Sequence, residues 1–401
     1  MTALLLPLLV AVLPLVGVAI LQFMLPVLGP LLTAEVGRSP EEYGWIGGSI
    51  GLGTILFLLC NHAILPVLGP VRTLRLGLLC AVAGIGLMLA GTWTAMVLGA
   101  LLIGFGYGTT TPAGSQVLAD FTPRQVWGTV FSLRQAAVPV GGVIAGVLGS
   151  WLVAKSGWRL PLEAVVLICG LLIVSLLAVP RRFNDSRPAK PFSFKELVDP
   201  RNVIRPARTV RRVRGLRSLI VAGWSLAFVH ATVTSFFVTF LSSGVGMPIV
   251  EAAFLFAVLQ GCAIFGRIIF GAIADWLGSP VRMLKMLAPM SAISGIMLAN
   301  IAADWSSAAH LAAAVTIGMT VGTWNGLYLA EIARLAPAAD VGEATAGSAV
   351  FTFTAYLLAP PIVGWLIPRI GYHTTFESVA MSALFALAVL LYREHVLGLG
   401  D

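Results

Sequence analysis

The sequence predicts an all-α membrane protein of twelve transmembrane helices, arranged as two six-helix pseudo-repeats. Three observations carry that prediction. Of 401 residues, 58% are hydrophobic and only 10% charged, whereas a soluble globular chain has roughly 25% charged residues. Apolar runs recur along the whole chain, each near the roughly 20 residues a helix needs to cross a bilayer core. Residues at the ends of corresponding runs also repeat at a fixed spacing between the two halves.

So few charges cannot clothe a soluble protein of this size, and lipid is the natural cover for the rest. Polar, Gly or Pro punctuation divides the chain into twelve spans. The first six are Leu5–Leu32, Tyr43–Leu65, Leu74–Ala90, Thr94–Phe121, Trp127–Ala154 and Leu162–Val179. The second six are Leu219–Leu241, Ile249–Trp276, Val281–Ala302, Ser307–Leu335, Ala344–Ile367 and Thr375–Tyr392. The expected organisation is a bundle over residues 1–180, a basic linker over 181–217 and a second bundle over 218–401. The apolar run of Met1 to Leu32 lacks a basic n-region and a small-residue cleavage site, and is expected to be an uncleaved first span.

The net charge is +8, but it is not spread over the molecule. Arg181 to Arg217 holds twelve Lys or Arg against Asp185, Glu196 and Asp199. The basicity therefore belongs to one loop, and no nucleic-acid partner is implied. With the N-terminus inside, the inner turns, the linker and the C-terminal tail hold eighteen Lys or Arg: Arg72, Arg75, Arg124, the twelve of the linker, Arg282, Lys285 and Arg393. The outer turns hold Arg38, Lys155, Arg159 and Arg369. This asymmetry predicts a multi-pass plasma (inner) membrane protein with both termini cytoplasmic. The linker then lies against anionic lipid headgroups or is simply solvated.

Cys60, Cys80, Cys169 and Cys262 all sit in apolar runs, with no Cys/His metal spacing. They read as small buried hydrophobes, and no metal or cofactor is expected. No nucleophile–base pair or phosphate loop is found either, so enzymatic activity is not expected.

The repeat is the most informative pattern. Leu68-Gly69-Pro70-Val71-Arg72 matches Leu277-Gly278-Ser279-Pro280-Val281-Arg282 with one inserted residue. An offset of 214 then pairs Gly108-Thr109 with Gly322-Thr323, Pro123 with Pro337, and Trp151-Leu152 with Trp365-Leu366; it also pairs Gly157 with Gly371 and Glu163 with Glu377. Parallel repeats of this kind place a solute path between the halves, near the midplane.

On these residues the chain resembles the bacterial-type major facilitator superfamily of secondary transporters, over essentially its whole length. The resemblance is carried by Gly266-Arg267, Gly271, Asp275, Gly278 and Arg282 after span eight, a Gly, an Asp four later and a Gly three after that, with basic neighbours. The turn after span two keeps Gly69, Arg72 and Arg75 but has Pro66 where the acid would stand. Gly157-Trp158-Arg159 and Gly371-Tyr372-His373 resemble the turns that close spans five and eleven. Val138-Pro139-Val140-Gly141-Gly142 only partly matches the proton-antiporter element of span five.

Polar groups inside spans are costly and tend to face a cavity or one another. Gly47, Gly48, Gly51 and Gly53, like Gly104, Gly106 and Gly108, read as packing surfaces. Asp120, Arg267, Asp275, Arg282 and Arg334 read as a gate of charges at the cytoplasmic helix ends. Gln22, Arg134, Gln135 and His230 lie deeper, and Trp324, Asn325 and Tyr328 add polar edges in span ten. The resemblance implies that spans one, four, seven and ten line the path; these seven, of which Arg134 and Gln135 are on neighbouring span five, are the expected solute site.

The leading expectation is alternating access of a small polar solute by a monomer. Arg134 points to an anion, because a guanidinium can clamp a carboxylate through two hydrogen bonds. Proton coupling would use His230, whose ordinary pKa is near neutrality, or in second place Glu331. Two alternatives stay open: proton-driven efflux of hydrophobic drugs, with Trp324, Phe236, Phe237 and Phe351 lining a greasy pocket, and a membrane sensor that binds solute without moving it.

Overall fold

A computed structural model describes residues 2–123, 126–184, 191, 193–197, 199, 201–213, 215–337 and 341–397. Arg124, Asp185, Arg187, Lys190 and Arg214, counted above in the charge asymmetry, lie outside the described residues. The first six helices are α1 (Thr2–Glu35), α2 (Tyr43–Leu68), α3 (Pro70–Met88), α4 (Trp93–Phe121), α5 (Trp127–Ser156) and α6 (Arg159–Leu177). Two short linker helices follow, α7 (Phe194–Leu197) and α8 (Arg201–Arg212). The remaining helices are α9 (Leu216–Thr239), α10 (Ile249–Trp276), α11 (Pro280–Ala299), α12 (Ser307–Val321), α13 (Trp324–Leu335) and α14 (Val341–Leu397).

Twelve crossings result, although the helices do not map one to one onto the expected spans. α14 has 57 residues, about 85 Å at ~1.5 Å per residue, far more than the ~30 Å bilayer core. Gly371 breaks it with a φ of 78°, so spans eleven and twelve are its two limbs. Span ten is the reverse case. The sequence predicts one continuous helix from Ser307 to Leu335, but the structure divides it at Gly322-Thr323 into α12 and α13. The break has a backbone consequence that the interface uses.

The repeat is visible in the backbone. Left-handed glycines occur at Gly37 and Gly246, at Gly69 and Gly278, and at Gly157 and Gly371, pairing corresponding turns of the two halves. A side chain with a Cβ rarely adopts that conformation, so the two halves turn by the same device. The termini of the bundle and the linker share one end of the molecule, where Asn184 Oδ1 accepts from the Arg72 N–H. This end is called the linker face.

The two bundles are pressed together most closely away from the linker face. There α2 lies against the first limb of α14, and α5 against α10. A Cβ on Gly51 would sit 2.6 Å from the Leu357 nitrogen, and one on Gly44 would run into the Pro360 carbonyl. Only glycine permits this backbone-to-backbone approach, the usual role of small residues between membrane helices. Gly47, Gly48 and Gly51 therefore join the halves, while Gly53 packs against α4 of its own bundle.

Candidate functional site

The break in span ten leaves the Gly322 carbonyl outside the helical ladder, and Arg267 of α10 takes it up. Its Nε donates to Gly322 O at 3.1 Å. Its Nη1 reaches across the interface to the Gln135 carbonyl of α5 at 2.8 Å. Arg267 was expected in the gate at the helix end. It lies instead about 12 Å deeper than Asp275, at ~1.5 Å per residue, and it joins the two halves.

Arg134, one residue before Gln135, is 2% exposed. Its Nη2 donates to the Thr110 carbonyl at 2.7 Å and to that of Thr111 at 3.4 Å, beside Pro112 in α4. Its Nε has no partner among the described residues. A carbonyl has two lone pairs, so Thr110 and Thr111 can accept from the guanidinium in addition to their own ladder bonds. Among the described residues, neither Arg134 nor Arg267 has a carboxylate partner. Tyr107 lies within electrostatic range of both guanidiniums, and its ring meets Phe353 of α14 at 6.2 Å.

His230 stands on α9 at the same level. Its Nδ1 is 2.9 Å from the Tyr356 hydroxyl of α14. Its Nε2 lies beside Gly322, next to the carbonyl that Arg267 holds. Tyr356 in turn borders a cavity of about 30 Å³ between the halves, whose polar walls include Gln22, Thr54, Thr234 and Ser235. Gln22 Oε1 has no partner among the described residues. That volume holds a water or two.

The structure thus brings together Gln22, Arg134, Gln135, His230 and Arg267. It separates them from Trp324 and Tyr328, which are buried inside the second bundle, with the Tyr328 ring against Gly223 of α9. Trp324 Nε1 has no partner among the described residues, and the Tyr328 hydroxyl faces Thr352 and Ser348 of α14. Asn325 beside them is half-buried. Phe236 and Phe237 are also packed into the core.

Glu331 lies near the linker face and is fully buried. Arg334 donates to it twice, at 2.8 and 2.9 Å, and Arg393 of α14 once at 2.7 Å. Arg393 was counted in the C-terminal tail; it is 1% exposed. Asp120 and Arg282 also lie near that face, and Asp275 is exposed at the end of α10. Sequence reasoning missed Tyr107, Tyr356 and Arg393. A tyrosine between Gly106 and Gly108, and another in the apolar run of span eleven, were the available signals.

Twelve crossings, paired turns and a site between two bundles agree with one family model. That of the Major Facilitator Superfamily matches residues 12–346. The chain belongs to the major facilitator superfamily. An uncharacterised transporter of this type from Mycobacterium tuberculosis (strain CDC 1551 / Oshkosh) is 26% identical over 292 residues, covering 72% of this chain and 61% of the relative. The cis,cis-muconate transport protein of Acinetobacter baylyi is 24% identical over 252 residues, covering 62% of this chain and 60% of that protein. The chain thus spans about three fifths of the length of these curated relatives. The crystal structure of the human organic anion transporter MFSD10 superposes with a TM-score of 0.69, covering 95% of this chain and 97% of that one at 14% identity. The latter is a likeness of fold.

Proposed function

We propose that this superfamily member is a secondary transporter that carries a small organic anion between the two faces by alternating access. One observation carries the reading: Arg267 bridges the two bundles and Arg134 is buried beside its partner Gln135 in the first, both with carbonyl partners and, among the described residues, no carboxylate. A cation within a membrane span costs about 2.5–3.5 kcal/mol on insertion scales. A hydrogen bond from a charged donor returns roughly 1.5–3 kcal/mol, so an anion spanning both guanidiniums offsets the cost. The name of the muconate relative adds support from a dicarboxylate. On this reading the linker face is cytoplasmic, as the basic residues indicate.

The test is counterflow in proteoliposomes with a panel of labelled carboxylates that includes cis,cis-muconate. The expected outcome is exchange of at least one carboxylate, with loss of exchange in Arg267→Gln. Exchange of neutral or cationic solutes alone, or carboxylate exchange unaffected by Arg267→Gln, would overturn it.

A further inference from the structure

We infer that His230 is the proton carrier of the cycle, and that its geometry makes the cycle a symport of one proton with the anion. The inference rests on the anion reading above and adds the coupling ion, its seat and the sign of the coupling.

His230 is placed where the other moving parts meet. It belongs to α9, bonds through Nδ1 to Tyr356 of α14, and turns Nε2 towards the broken segment of span ten. Arg267 of α10 holds that same break by its carbonyl and reaches α5 in the other bundle. Among the described residues, the titratable or charged groups facing the imidazole are Tyr356 from α14 and Arg267 from α10. Tyr107 of α4 stands beside Arg267, and among the described residues no acid faces the ring. Nε2 has no protein partner among the described residues, so one ring nitrogen remains free to take a proton.

The sign follows from these neighbours. A protonated His230 and Arg267 are two cations in a low-dielectric interface, and they repel each other. A carboxylate seated on Arg267 attracts both. Anion and proton then favour each other's binding, and linkage makes that preference reciprocal. The proton balance is simple: a neutral imidazole takes one proton from the water of the open face and releases it at the other. The Nδ1–Tyr356 bond persists in both forms, because the hydroxyl can donate to a bare nitrogen or accept from a protonated one. An antiporter would need the opposite sign, which this cluster does not supply.

The experiment uses the purified full chain and the panel carboxylate that exchanges best. Calorimetry in buffers of different ionisation enthalpy counts protons taken up per anion bound, and the expected count rises towards one over a window of pH. Apparent affinity should fall about tenfold per pH unit above that window. His230→Gln should bind the anion with a flat pH profile and no proton uptake, while Tyr356→Phe should shift the window. Zero uptake or proton release by the natural protein overturns the inference, even if His230→Gln fails to fold. So does uptake that persists in His230→Gln. If no carboxylate binds at all, the anion reading itself has failed, which is a separate and recognisable result.

Discussion

The Tyr372 hydroxyl in the second limb of α14 donates to Glu41 Oε1 at 2.7 Å, tying the two bundles together at the face away from the linker. Glu41 belongs to the short turn Pro40–Glu42 before α2, and its own carbonyl is packed against Gly364. One bond thus connects the first turn of one half with the turn between the last two crossings of the other. An opening at this face must break it.

Tyr372→Phe should therefore favour opening there. A hydrogen bond to a charged group contributes roughly 1.5–3 kcal/mol, a shift of about tenfold or more in a two-state population. The check is the labelling rate of a Ser235→Cys variant, whose side chain lines the cavity, by an impermeant maleimide added from that face. A rate equal to or below that of the parent would contradict the assignment.

Arg134→Ala should weaken carboxylate binding at least tenfold, and Arg134→Lys should recover only part of it, because an ammonium lacks the planar fork of the guanidinium. Thermal unfolding separates loss of the site from loss of the fold. Rescue of Arg134→Ala by neutralising Glu331 is not expected, because that carboxylate is already held by Arg334 and Arg393.

Glu331→Gln should destabilise the second bundle. It would leave Arg393, 1% exposed, without its anion, and breaking a buried pair costs about 3–5 kcal/mol. Glu331→Leu combined with Arg393→Met should restore most of that loss, since a well-packed apolar pair can replace a buried ion pair. Unfolding midpoints of the single and double variants check both statements. If Glu331→Gln is as stable as the parent, the pair contributes nothing.

Reporter fusions test the orientation. A reporter at Asn184, at the start of the linker, should read cytoplasmic, and one inserted at Ser39 should read external. Both on the same side would break the alternation of crossings; the reverse pattern would invert the assignment of the linker face.

Much of this architecture was legible in the chain. Scarcity of charge and the length of apolar runs specify how many helices cross, because lipid leaves the backbone no partner but its own ladder. The repeat specified where the turns come, and the structure finds left-handed glycines at paired turns such as Gly157 and Gly371. Gln22, Arg134 and His230 stood out because polar groups are rare in lipid, and that signal needs no coordinates.

The sequence by itself determined the class of fold, the repeat and which spans carry unusual polar groups, since each follows from local composition and periodicity. Only the tertiary structure decided what those groups touch. Arg267 leaves the helix end for the interface because span ten breaks at Gly322 and frees a carbonyl, and nothing in the local apolar pattern marks that break. Arg393 leaves the tail for the core because Glu331 of another helix needs a cation. Both partners are set by helix packing between segments far apart in the chain. A charged side chain in a membrane takes whichever counter-group that packing brings within reach.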